Sequence, residues 1–169
     1  MRLAICLILL LQVTGNFGRL YAETDARLVN AVKNVDPMAV RALLEEGVDV
    51  NAGEADGTSP LHWAVHRDNI ETAKLLIEAG ALVMAVNRYG VQPLSLACVN
   101  GNPVIIDLLL TAGADANTTF AEGETALMTA ARTGIVGAVE KLLAHGANVN
   151  ATEPWRGQTA LMWASAEGH

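Results

Sequence analysis

Glycine recurs along this chain with a period of 33 residues. Gly47, Gly80, Gly113 and Gly146 form one series, and Gly57, Gly90 and Gly123 form a second. A fixed period between 20 and 50 residues is the sequence mark of a stacked-repeat architecture, in which one supersecondary unit is copied along an axis. Between the glycines the apolar residues recur at helical spacing, twice per period. In residues 55–87, Leu61, Ala64 and Val65 mark one short helix, and Ala73, Leu76 and Ile77 a second. Residues 88–120 repeat this with Leu94 and Ala97, then Ile106, Leu109 and Leu110. Residues 121–154 repeat it with Leu127, Ala130 and Ala131, then Val139, Leu142 and Leu143. Residues 23–54 carry a degenerate first copy with Leu28, Val29 and Val32, then Val40, Leu43 and Leu44.

The helix ends are legible as well. Asp36-Pro37, Ser59-Pro60 and Asn102-Pro103 each set a capping side chain before a proline at the first helical position, where the missing amide is harmless. Gly47, Gly80, Gly113 and Gly146 fall where a left-handed residue closes a helix. A fifth copy, residues 155–169, opens at Gly157. It stands 34 residues after Gly123, so one extra residue lies in the 151–156 loop. Gly168-His169 falls between the two helices of that copy. The chain therefore reads as a fragment of a longer protein; if His169 is the natural end, burying Leu161, Met162 and Trp163 does not offset the cost of ordering the last segment, which is expected to fray.

The first 22 residues are of another kind. Arg2 precedes an unbroken apolar run, Leu3 to Leu11, and Ala22 offers a small residue before Glu23. The pattern is that of a secretory signal peptide over residues 1–22, and the run is too short to span a bilayer. An exported protein, periplasmic or secreted, with no stable membrane insertion after cleavage, is the expectation. Lys and Arg number 11 against 18 Asp and Glu, a net charge of −7. Loss of Arg2 and Arg19 with the leader takes the mature chain to −9. Such a balance gives no electrostatic footprint for nucleic acid. Cleavage also removes Cys6 and leaves Cys98 alone, so no internal disulfide is available.

The stretch Gly57-Thr58-Ser59-Pro60-Leu61-His62-Trp63-Ala64 closely resembles the Thr-Pro-Leu-His-x-Ala signature of ankyrin repeats, and Gly146-Ala147-Asn148-Val149-Asn150 resembles the ending of such a repeat. The resemblance covers residues 23–169. It implies an all-α solenoid of stacked helix-turn-helix pairs with β-hairpin finger loops at right angles. It also implies a protein-binding surface on the concave face of the first helices and on the finger tips. The sequence departs from the pattern in places. The threonine is Ser59 and Gln92 in the second and third copies, and the histidine is replaced by Ser95, Met128 and Met162. Asp68 stands where the family has glycine. The side-chain hydrogen bonds that tie turns together are therefore expected to weaken beyond the second copy.

Catalytic patterns are absent: there is no Gly-x-Ser-x-Gly, phosphate loop or His-Glu-x-x-His. His62 and His66, spaced i, i+4, share a helix face, but zinc needs three or four ligands and no others are evident. No metal or cofactor is expected. The acids Glu45, Glu46, Glu122 and Glu124 read as solvated surface. By register, the finger tips carry Arg88, Tyr89, Trp155 and Arg156, and the stripe facing the concave side reads Asn30, Trp63, Leu96, Thr129, Trp163. Tyr, Trp and Arg carry most of the energy in protein interfaces. Trp63, Arg88, Tyr89, Trp155 and Arg156 are the candidate partner-binding residues. The function read from these features is a non-catalytic, monomeric binding module for a protein partner, an exported adaptor or inhibitor. The alternative is the regulatory or targeting segment of a longer exported enzyme whose catalytic domain lies beyond His169.

Overall fold

A computed structural model describes residues 27–120 and 122–169; the signal-peptide reading over residues 1–22 lies outside these. Nine short helices follow in order among the described residues. They are α1 (residues 27–33), α2 (Pro37–Glu45), α3 (Pro60–His66), α4 (Ile70–Glu78), α5 (Pro93–Asn100), α6 (Pro103–Thr111), α7 (Ala126–Thr133), α8 (Val136–Ala144) and α9 (Ala160–Glu167). None of the described helices is long and apolar enough to cross a membrane.

Seven to nine residues are too few to make a stable helix alone, so each is held by its caps and its neighbours. Asp36, Ser59, Asn69, Asn102 and Thr125 cap their helices by accepting backbone amide protons. The helices then pack in two columns. One runs α3, α5, α7, α9; the other runs α2, α4, α6, α8; and α3 with α4, α5 with α6 and α7 with α8 form the rungs. The core follows the 33-residue register. Leu28, Leu61, Leu94 and Leu127 line one column, and Leu43, Leu76, Leu109 and Leu142 the other, all buried. Each layer buries too little alone, and the stack is continuous because every layer covers the next.

One inward expectation is corrected, and the register breaks once more, at the last layers. Leu143 is 41% exposed, whereas its register mate Leu110 is buried. Leu161 is 75% exposed where Leu94 is 1% exposed. The reason is the same for both. Nothing among the described residues packs over the far side of α8 and α9, and an apolar hollow of ≈ 360 Å³ lies there, between α7, α8 and α9. The segment expected to fray is a two-turn helix, closed by Gly168 in the left-handed conformation and laid against α7 through Ala160, Trp163 and Ala164.

The turn between the two helices of a layer also needs a positive φ. Gly101 and Gly134 supply it in the third and fourth layers, while Val35 and Asp68 adopt φ 55° in the first and second. Asp68 turns the departure to use, since its carboxylate accepts from Asn102 Nδ2 at 2.8 Å.

The fingers are not the expected β-hairpins. Among the described residues there is no strand, and a single antiparallel bridge joins Thr119 and Thr125. Each finger is instead closed by a turn, as in Asn87 N–H to Val91 O (3.1 Å) and Gly90 N–H to Asn87 O (3.0 Å). With two to three residues per side, a ladder has no room to form.

Asparagines bind one loop to the next. Asn51 donates to Gly80 O (3.3 Å) and accepts from Leu82 N–H (2.8 Å). Asn117 does the same with Gly146 O (3.1 Å) and Asn148 N–H (2.8 Å). The residue at that register between them is Met84, an exposed thioether that makes neither bond. Met84→Asn is expected to restore the missing rung to Gly113 O and Asp115 N–H. The gain is about 1 kcal/mol, a rise in Tm of about 3 °C for a domain of this size. Calorimetry showing no rise would remove the ladder from the account of stability.

Candidate functional site

The fingers and the first-helix column present the surface that varies most between layers. At the third finger, Arg88 is turned back on the second. Its amide donates to Asp56 O at 2.7 Å and its Nη2 to Ala55 O at 2.8 Å. Asp56 in turn accepts from Thr58 N–H at 2.9 Å. That backbone hydrogen bond, with the Thr58 hydroxyl and Arg88 adding to it, holds the Asp56 carboxyl below the usual range. Tyr89 is left free, 66% exposed, over a hollow of ≈ 270 Å³ that it shares with Asp56, His62, Trp63, His66 and Leu96.

Trp63 is half-buried at the floor of this hollow. Its Nε1–H donates to Glu54 Oε2 at 2.7 Å. Lys33 Nζ sits 4.5 Å from the indole centroid and 2.9 Å from Glu54 Oε1. Cation, carboxylate and indole satisfy one another, so Trp63 joins the first layers as well as lining a surface.

At the fifth finger Trp155 is 83% exposed, its Nε1–H donating to Glu122 O of the fourth at 3.2 Å. Beneath it Glu153 is 5% exposed and points into its own turn. Its two oxygens accept from the amides of Trp155 (2.6 Å), Arg156 (3.0 Å) and Gln158 (2.9 Å). These amides, Gln158 first, hold the Glu153 carboxyl below the usual range. Trp155 and Arg156 share a second hollow, ≈ 200 Å³, with Glu122, Glu124, Glu153 and Trp163.

Residues 28–120 and 100–169 match a family model described as ankyrin repeats in three copies. The chain belongs to the ankyrin repeat family. No curated protein matches the sequence. Ankyrin repeats are generally protein–protein interaction modules and typically non-catalytic.

Within this ankyrin stack the five candidate residues fall into two groups and one outlier. Trp63 and Tyr89 share the hollow of the second and third repeats, and Trp155 and Arg156 that of the fourth and fifth. Arg88 lines neither hollow and braces one finger against another. Of the stripe residues, Thr129 is fully inside. Sequence reasoning passed over Lys33, Glu54 and Glu124, although the register held a clue: Lys33, Glu54 and Trp63 recur as Arg132, Glu153 and Trp163.

The titratable side chains have structural work. Both ring nitrogens of His62 are engaged, by Ser59 and by Val91 O, which leaves neither for a metal. Burial pushes the Cys98 thiol up to about 12, so it stays protonated at neutral pH and is a core residue rather than a nucleophile.

Proposed function

We propose that this ankyrin domain is an exported, non-catalytic adaptor or inhibitor that acts as a monomer and holds a partner protein along its finger tips and the concave face of its first helices. The observation that carries this reading is the exposure of Tyr89 on the third finger and Trp155 on the fifth, on backbones held by the Asn87 carboxamide and the buried Glu153 carboxylate. Rigid loops presenting aromatic side chains lose little entropy on binding. With the leader and its Arg2 and Arg19 removed, 9 basic residues stand against 18 acidic, and the net charge of −9 favours a partner with a basic surface and disfavours nucleic acid. Export rests on the apolar run Leu3–Leu11 and the small residue Ala22; a product that stays inside the cell with residues 1–22 attached would count against it.

Tyr89→Ala is the sharpest test. The ring makes no hydrogen bond to hold the fold, so Tm is expected to stay within about 1 °C. Affinity for a partner captured from the exporting cell is expected to fall about tenfold or more. Unchanged affinity would remove the third finger from the binding surface. A matching fall in Tm would show that the residue is structural.

A further inference from the structure

The same three-residue constellation stands at two places in the stack. Lys33, Glu54 and Trp63 occupy the register positions of Arg132, Glu153 and Trp163, once the extra residue of the fifth finger is counted. The first copy is closed: Trp63 Nε1–H has Glu54, and Glu54 has Lys33. The second copy is open. Arg132 Cζ lies 5.9 Å from the Trp163 ring centroid, repeating the cation. Glu153, however, is drawn into its own finger by three amides. Trp163 Nε1–H is thereby left shielded from water with no acceptor, and Glu124 Oε2 beside the same hollow is shielded with no donor. An unpaired buried donor and an unpaired buried carboxylate oxygen each cost free energy that a ligand able to pair them would recover.

The chemistry of that ligand follows from the walls. Glu122, Glu124 and Glu153 line the hollow against the one cation Arg156, and Trp155 and Trp163 line it with them. Carboxylates with aromatic faces select a planar cation, which stacks on a ring and donates in a fork to an acid. We infer that the hollow between the fourth and fifth fingers takes an arginine side chain of an extended segment of the partner protein, with Glu124 as its counter-charge and a backbone carbonyl of that segment accepting from Trp163 Nε1–H. This rests on the binding-module reading above and adds to it the residue that the partner must present.

The probe is acetyl-Gly-Arg-Gly-amide, titrated into the full chain labelled with ¹⁵N-tryptophan, with the citrulline tripeptide as its neutral isostere. Three tryptophans give three indole signals. The Trp163 signal is expected to shift saturably with the arginine peptide, at a Kd on the order of 10 mM for so small a ligand. The Trp63 signal, already bonded to Glu54, is expected to stay. Citrulline on the native chain, and arginine on Glu124→Gln, are each expected to bind about tenfold more weakly or worse. A Trp163 signal that does not move, or that moves equally with citrulline, overturns the inference without reliance on any variant. Failure here is separable from failure of the binding-module reading. A partner whose capture depends on Tyr89 but not on Glu124 leaves that reading standing and this site refuted. A positive titration with no partner ever captured does the reverse.

Discussion

Replacing Leu109 by alanine is expected to destabilise the protein by about 3–4 kcal/mol, whereas the same change at Leu161 is expected to cost less than about 1 kcal/mol. The two residues look alike in the sequence, each an apolar member of a 33-residue register. They differ in what covers them. Leu109 is fully buried on α6, which packs between α4 and α8. Truncating it leaves a cavity that rigid neighbours on two sides cannot close. Leu161 points into an open hollow and already meets solvent. In a stack where stability is the sum of layer terms and interface terms, damage at Leu109 falls on the middle interface. Two consequences follow: Tm drops by about 10 °C, and denaturant unfolding broadens as the two halves part company, with a lower m-value. Equal costs at Leu109 and Leu161 would mean that the layered core is drawn wrongly.

The difference between those two leucines also shows what a sequence of this kind can and cannot convey. Periodicity identifies which residues face a neighbour. It carries no information on whether the neighbour is there, and so Leu143 reads as inward although it is 41% exposed. The helix ends were legible because caps are local chemistry: Asp36, Ser59 and Asn102 act within three residues of themselves. The fingers were not, because a hairpin and a lone turn share the same glycine, and only the backbone hydrogen bonds tell them apart. At the candidate site, the register places Tyr89 and Trp155 on finger tips, and both are exposed. It could not show that Arg88 spends its guanidinium on Ala55 O, or that Glu153 is sealed inside its turn. Both depend on residues about 30 positions away or on a rotamer. Glu124 was read as solvated surface because an acid among acids gives no sequence sign that one of its oxygens is shut away from water.

Substituting His62 by alanine is expected to cost about 3 kcal/mol, more than its size alone explains. The imidazole is buried and joins two repeats. Its Nδ1 accepts from Ser59 N–H at 3.2 Å and lies 2.8 Å from Ser59 Oγ. An acceptor at Nδ1 fixes the proton on Nε2, which donates to Val91 O of the next finger at 3.0 Å. Truncation opens a cavity and strands the Val91 carbonyl. No other repeat has a substitute. Ser95 Oγ bonds only within its own turn, to Gln92, and Met128 offers Thr125 N–H a sulfur at 3.4 Å. The same geometry sets a pH response. Desolvation lowers the His62 pKa below its usual 6.5, with the Val91 bond and Asp56 opposing in part. The unfolded chain therefore binds the proton more readily than the folded one. Stability rises with pH wherever that holds, so it is complete above about 6.5 and declines as pH falls from there toward the depressed folded value. A proton arriving at Nδ1 also displaces the Ser59 amide and opens the capping box. Urea titrations at pH 7.5 and 5.5 are expected to show a loss in the native chain that is absent from His62→Asn, measured against each protein's own value at pH 7.5. An equal loss in both would place the titrating group elsewhere and reduce His62 to a packing residue.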